Sequence, residues 1–553
     1  MSSVLVFLLW WFTTAGVPQE PADLVFLNGK VHTVEWAPLQ TQALAVLDGR
    51  IVFLGSDFEA RLWIGPDTQV VQLDGRSLYP GFQDAHAHLV GLGLLRTEVD
   101  LTGTRSYEEV VERSLIGEAA LEPGDWLQGR GWDQNDWAVS DFPHHQPLSA
   151  AFPKRPVALR RVDGHALLAN AAAMAAAGVD RHTEDPPGGR IHRNGEGEPT
   201  GVFIDTAMSL ILNAAPPRSR QGVKNAVSKA IGELHRRGIT AIHDAGVDQQ
   251  TIALYREMVR EGRFDLRNYI MIRGDKAHLD HWLPKGPQNS LEGRGRLRLR
   301  SIKLSLDGAL GSRGAALLED YSDAPGERGL LLLPPAYVQH VAERALQSGF
   351  QLCVHAIGDR ANRLTLDAFE AALQRHPKAD HRFRVEHAQI LHPDDLPRFA
   401  AMGVMASMQA QHQSSDMYWA ELRLGSTRVR GAYAWRSLLD QGVLLPGGSD
   451  FPVEKPDPMA AFRAAVFRQD GQAWPAGGWY PEQAMTPEEA LASLTLWPAK
   501  AAFWEDEIGS LAVGKRADLV VLSGDCLQTG VRDLARLQVD LTVFDGRVVF
   551  RRR

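Results

Sequence analysis

The pair His86-Ala87-His88 closes the run Pro80-Gly81-Phe82-Gln83-Asp84-Ala85, and it constrains this chain more than any other feature. The segment before it, Arg76-Ser77-Leu78-Tyr79, reads as a strand entering a Pro-Gly turn. On extended backbone, residues i and i+2 point to the same side. Both imidazoles can therefore share one metal ion, and imidazole is a preferred ligand for zinc and related first-row metals. Four more metal-type residues close short apolar runs downstream. Lys303 follows Leu297-Arg298-Leu299-Arg300-Ser301-Ile302, and His355 ends Gln351-Leu352-Cys353-Val354. His387 ends Arg382-Phe383-Arg384-Val385-Glu386, and Asp450 follows Val443-Leu444-Leu445-Pro446-Gly447-Gly448-Ser449. Weaker candidate strands at 239–244, 266–272 and 404–408 bring the count to eight. Eight strands with helical segments between them predict an α/β chain folded as a (β/α)8 TIM barrel, whose chemistry sits at the C-terminal strand ends. Every candidate ligand is at such an end.

Several further stretches fit with these. They are Gly129-Arg130-Gly131-Trp132-Asp133-Gln134-Asn135, Asp163-Gly164-His165, the segment from Lys303 to Arg313, His355-Ala356-Ile357-Gly358-Asp359-Arg360-Ala361, Glu386-His387-Ala388-Gln389 and Gly448-Ser449-Asp450-Phe451-Pro452. With Pro80 to His88, they resemble the metal-dependent amidohydrolase superfamily, in its amidohydrolase-3 branch that includes N-substituted formamide deformylase-like proteins. The resemblance runs from about Ala22 to the end. The branch usually has Thr after the Ser-Arg pair; here Gly314 follows Ser312-Arg313.

The resemblance implies a metal centre. His86 and His88 would hold one divalent ion, most naturally zinc, and His355 and His387 a second, with a one-metal site left open. Lysine is a poor metal ligand in either protonation state. The resemblance implies that Lys303 is N-carboxylated by carbon dioxide and bridges the two ions; the residues by themselves favour a barrel lysine paired to Asp307. Asp450 would contact metal and water. A metal lowers the pKa of its water to about 7, and Asp450 would take that proton and later give it to the leaving nitrogen.

At 553 residues, two or three domains are expected. Residues 22–79 alternate apolar and polar with turns at Asn28-Gly29, Asp48-Gly49 and Asp74-Gly75, which predicts a small antiparallel sheet. The last segment, 506–553, reads the same way. Neither piece buries a core by itself, so both termini are expected to form one β-sandwich, leaving 80–505 as the barrel. Residues 100–220 make an unusually long connection after the first barrel strand, rich in Trp126, Trp132 and Trp137. It is expected to be an inserted lid over the barrel mouth. Residues 1–21 resemble a secretory signal: Val4 to Phe12 is apolar and Thr13-Thr14-Ala15-Gly16 is small, although no Lys or Arg precedes them. The run is too short to span a bilayer. Export to periplasm or medium is favoured over a cytoplasmic place, with no integral membrane span in the mature protein.

The net charge of −8 and the lack of a long basic cluster exclude a nucleic-acid partner. Two distant cysteines, Cys353 and Cys526, predict no disulfide framework. Trp132, Asp133 and His165 are candidates to close over a substrate. Arg313 could orient a carbonyl or carboxylate, or make a structural ion pair, and His412 could polarise a carbonyl. His243 and Asp244 are expected to support the ligands by hydrogen bonds, and His144, His145 and Asp416 to lie on the surface or lid. Three function classes follow. The leading one is hydrolysis of an amide-type C–N bond, as in an N-acyl or N-formyl amine, on a small-molecule substrate, with homodimerisation left open. The others are deamination or cyclic-amide hydrolysis on the same centre, and a catalytically silent binding protein. The complete ligand set argues against the last.

Overall fold

A computed structural model describes residues 20–34, 39–95, 98–119, 121, 124–216, 218–293 and 295–553. The expected signal segment lies outside the described residues, except for its last two positions. No helix among the described residues is long and apolar enough to cross a membrane.

Seven parallel strands form the barrel wall. They are β1 (Phe82–Ala87), β2 (Ile239–Val247), β3 (Arg267–Arg273), β4 (Leu297–Ser305), β5 (Gln351–Ala356), β6 (Arg384–His387) and β7 (Met405–Ser407), each paired with the next. They read as near-continuous buried runs, as parallel strands covered on both faces do. The eighth expected strand closes the barrel without a regular ladder. It makes single parallel bridges, Met408 to Gly447 and Ala87 to Phe451. Pro446 has no N–H to donate, and Asp450 has a positive φ of 56°, so the segment cannot run as a plain strand. Its polar groups still reach both neighbours: Pro446 accepts from Met408 N–H, Gly447 accepts from Ala85 N–H, and Asp450 N–H donates to His86 O.

Helices pack outside this wall. Arg220–Arg236 is capped by Ser219, which accepts from Gly222 N–H, and it buries Ala226, Val227, Ala230, Ile231 and Leu234. That spacing is one stripe of a 3.6-residue period. Inside, Tyr269, Met271, Cys353 and Trp504 fill the barrel floor.

The terminal segments form the β-sandwich. One sheet holds Leu24–Leu27, Ala43–Leu47, Arg50–Gly55 and Gln69–Gln72; the other joins Lys30–His32, Gln40–Thr41 and Ser77–Pro80 to Leu519–Leu522, Val539–Phe544 and Arg547–Arg551. Phe26, Val31, Val46, Leu78, Leu519 and Val543 share the core between them. The first part is not the purely antiparallel sheet expected. Leu24–Leu27 pairs parallel to Gln69–Gln72, and Lys30–His32 parallel to Ser77–Pro80. Asp48-Gly49 and Asp545-Gly546 make two-residue hairpins, whereas Asn28-Gly29 and Asp74-Gly75 carry the chain from one sheet to the other.

The region expected as a lid is a folded unit with its own sheet. Its order is Gly189–Arg193, Pro199–Asp205, Ala166–Ala169, Val157–Arg161, Leu127–Trp132, Val99–Asp100. Leu127, Trp132, Leu148, Leu159 and Ile204 pack on one face; Leu167, Phe203 and Ile211 pack on the other.

Barrel and sandwich are clamped by a buried ion pair. Arg267 on β3 donates twice to Asp518, at 2.6 and 2.9 Å, and once to Asp545. Both side chains of the Arg267–Asp518 pair are 3% exposed. Removing one partner strands a buried charge, which costs about 3–5 kcal/mol. Arg267→Ala is therefore expected to unfold at clearly lower denaturant concentration than the wild type. An unchanged midpoint would show that the clamp contributes nothing.

Candidate metal centre

The barrel mouth gathers His86, His88, Lys303, His355, His387 and Asp450. The His86 ring centroid is 5.6 Å from that of His88 and 4.8 Å from that of His387, and His355 is 4.4 Å from His387. Lys303 Nζ lies 3.5 Å from His86 Nε2. Strand ends place them, with local strain: His387 has φ 73° and Asp450 φ 56°. Non-glycine residues held in that region cost about 1–3 kcal/mol each and cluster at functional sites.

The hydrogen bonds fix which imidazole nitrogens face inward. His86 Nδ1 meets Glu386 Oε2 at 2.6 Å, His88 Nδ1 meets Ala245 O at 3.1 Å, and His387 Nδ1 meets Gln409 Oε1 at 2.7 Å. Each partner is an acceptor, so each Nδ1 carries the hydrogen and each Nε2 presents a lone pair. Burial and the neighbouring Lys303 push His86 down to about 4, which keeps its ring neutral. Burial likewise holds His355 and His387 well below the usual histidine range.

Asp450 faces these lone pairs. His88 Nε2 is 3.1 Å and His86 Nε2 3.7 Å from its Oδ1. Burial opposes ionisation, but the neighbouring His412, itself raised to about 10 and so charged, holds the carboxyl well below the ordinary range. Among the described residues, Asp450 Oδ1 is buried with no hydrogen-bond donor. Acceptor therefore meets acceptor at short range, which is repulsive unless a cation lies between them. Donor atoms held about 2.1 Å from a tetrahedral zinc are separated by about 3.4 Å, close to the observed spacings. His86, His88 and Asp450 thus fit a divalent cation in both chemistry and span.

The support behind the ligands is charged and buried. Glu386 Oε1 accepts from Arg384 Nε at 2.6 Å; Arg384 also donates to Ala85 O and meets His243 Nδ1 at 2.8 Å. Burial would raise the Glu386 carboxyl, but Arg384 and His86 hold it far below the usual range. His243 thus supports the site as expected. Asp244 accepts from Leu89 N–H, Asn268 and Tyr255. Arg384 and Glu386 carried no assigned role in the sequence, although two charges spaced i, i+2 in an apolar strand are a visible signal.

A cavity of about 260 Å³, walled by both barrel and insert, reaches down to His355, His387 and Asp450. Asp133, Asp163 and His165 come from the insert; Gln389, His412 and Asp416 come from the barrel. His165 Nδ1 meets Asp205 at 2.6 Å. Burial would lower the His165 imidazole, but Asp205 outweighs it and raises the group to about 9. Arg161 bridges Asp133 and Asp163. Two candidates fall elsewhere. Trp132 is fully buried, donates its indole N–H to Leu159 O and packs on Trp137. Arg313 pairs with Asp323 at 2.9 Å and does not line the cavity. Lys303 also departs from the pairing with Asp307. Asp307 instead accepts from the N–H groups of Ala316, Ile357 and Gly358. Asp416, expected on the surface or lid, lines the cavity against Tyr433 and Gln389. It ends the helix Ala410–Asp416, which leaves β7 directly over the mouth.

Comparison with known proteins agrees with this geometry. The model of the "Amidohydrolase family" matches residues 69–550. N-substituted formamide deformylase of Arthrobacter pascens is 29% identical over 96% of this chain and 98% of its own. Protein LONG AFTER FAR-RED 3 of Arabidopsis thaliana is 34% identical over 93% of this chain and 90% of its own. The crystal structure of a metal-dependent hydrolase of Pyrococcus horikoshii superposes with a TM-score of 0.73 at 26% identity, covering 92% of this chain and 99% of that one.

Carboxylates that orient metal-binding histidines typically contribute 10–100-fold to metal affinity. Glu386→Gln keeps an acceptor for His86 but removes the counter-ion of Arg384. It is expected to weaken zinc binding by about that factor in chelator competition. Wild-type affinity would reduce Glu386 to a mere counter-ion.

Proposed function

This chain belongs to the amidohydrolase family, and we propose that it hydrolyses the amide-type C–N bond of a small N-acyl or N-formyl amine. The observation that carries the reading is the meeting of Asp450 Oδ1 with the unprotonated Nε2 atoms of His86 and His88, where Asp450 also lines a small cavity. A divalent cation there, zinc in the leading reading, would polarise the scissile carbonyl and acidify water. The cavity volume and its roof of insert residues fit a small molecule rather than a polymer.

The chain's own groups supply the rest. Asp450, held ionised beside the charged His412, accepts the proton of the attacking water and returns it to the departing nitrogen. His165 carries a proton at neutral pH because Asp205 holds its Nδ1, which leaves the second ring N–H for the substrate oxygen. Asp133 and Asp163, braced by Arg161, shape the opposite wall. The 29%-identical deformylase supports the N-formyl end of the substrate range.

Lys303 is read as the site of carbon dioxide addition, its neutral amine and CO2 giving a carbamate and one proton. Burial lowers its ammonium against the opposing pull of Glu386 and Asp450. Lys303→Ala is expected to lose most turnover, with partial recovery in added short carboxylic acids. Full activity without rescue would make Lys303 a structural lysine.

Asp450→Asn keeps the shape of the carboxylate and an oxygen for the metal, but it cannot take a proton at neutral pH. General acid–base catalysis is typically worth about 100- to 10,000-fold, so kcat/KM is expected to fall at least about 100-fold, with metal content measured in parallel. Wild-type turnover at full metal occupancy would place the proton shuttle elsewhere.

A further inference from the structure

A second pocket, of about 770 Å³, lies where barrel helices meet the C-terminal part of the sandwich, and it shares no lining residue with the cavity at the barrel mouth. The helix Arg220–Arg236 brings Arg236 to its wall, and the helix Pro458–Phe467 brings Arg463. Arg237 and Arg552 complete a set of four arginines, against two acids, Glu233 and Asp457. The rest of the wall is largely apolar, with Leu534, Leu537, Val539 and Phe550.

Two of the four arginines are already spent. Arg237 donates to Asp457 Oδ2 at 2.8 Å, while Asp457 Oδ1 accepts from the N–H groups of Met459 and Ala460. Arg552 donates to Asp540 at 2.8 Å. Arg463 is not spent. Its Nε is buried with no hydrogen-bond partner among the described residues. Asp457 and Asp470 act on it through space, without a hydrogen bond. Asp470 is itself engaged, accepting from Tyr418 Oη–H and from the N–H groups of Gln472 and Trp474. One end of the Arg463 guanidinium borders Gly471 at the pocket wall, where an added Cβ would stand 3.6 Å from Nη2. Arg236 is exposed on the same wall and adds positive charge.

A guanidinium keeps its proton in a protein, and burying a charge without a counter-charge is costly. An anion in the pocket removes that cost. The planar fork of arginine matches a carboxylate through two parallel hydrogen bonds, and the apolar wall calls for an apolar body behind it. We propose that this pocket binds a small carboxylate with an apolar body, the carboxylate pairing with Arg463 and drawn in by Arg236, the body lying on Leu537, Val539 and Phe550. The assignment is independent of the reaction proposed at the barrel mouth.

The test is calorimetric titration of the full-length protein with 4-phenylbutyrate, its neutral amide and inorganic phosphate. Wild type is expected to bind 4-phenylbutyrate, and to bind the amide and phosphate about tenfold or more weakly, because the amide lacks the charge and phosphate lacks the apolar body. Arg463→Met keeps the apolar stem without the charge and should weaken 4-phenylbutyrate by about tenfold or more. Arg236→Gln, at an exposed position, should weaken it by about two- to fivefold. If Arg463→Met does not fold, the acid–amide comparison on wild type and the Arg236→Gln variant still decide. Wild-type affinity in Arg463→Met would place the carboxylate elsewhere and overturn the assignment. No binding to the wild type, equal affinity for acid and amide, or phosphate bound as tightly as 4-phenylbutyrate would also overturn it.

Discussion

The mouth of this barrel depends on the seam where residues 447–451 meet β1. Asp84 locks it. Its buried carboxylate accepts from Ser449 N–H, from Ser449 Oγ–H at 2.5 Å and from His86 N–H. Burial pushes Asp84 up to about 7 despite those bonds. The approach is close enough to require Gly448, where an added Cβ would lie 2.6 Å from His86 N. Closing the seam brings His86 and His88 within reach of Asp450, and the positive φ of Asp450 aims its carboxylate across the opening.

Charge then alternates away from the mouth. Arg384 holds Glu386, Glu386 holds the His86 ring, and the ring turns its lone pair toward Asp450. In a low-dielectric interior such a chain is favourable only while each member keeps its partner. The lone-pair side of the chain ends on a carboxylate oxygen without a donor, and a cation is the group that completes it. The insert closes the site from above through Asp133, Asp163 and His165, so one side of the cavity belongs to a unit with its own core.

Much of this was legible in the sequence because strand-end ligands mark both a barrel and its chemistry. The His-x-His pair, the four downstream residues and the two-ended sandwich all follow from period-2 patterning and turn residues. Other features were not. Asn28-Gly29 and Asp48-Gly49 look alike, yet one changes sheet and the other makes a hairpin, because pairing partners far along the chain decide the outcome. The insert's six strands are short, and glycine interrupts two of them, Leu127–Trp132 and Pro199–Asp205, which blurs their alternation. For Trp132 the sequence left open closing over the substrate or packing within the insert, and its 0% exposure shows core packing. Asp416 is expected on the surface or lid; its half-buried place beside Tyr433 and Gln389 depends on residues distant in sequence.

The central claim is that His86, His88 and Asp450 hold the cation that the chemistry requires. Anomalous diffraction from crystals of the zinc-loaded protein, recorded on both sides of the zinc absorption edge, tests it most directly. The account predicts a peak about 2.0–2.2 Å from the Nε2 atoms of both histidines and from an Asp450 oxygen. A zinc peak elsewhere, with those three side chains left uncoordinated, would contradict it.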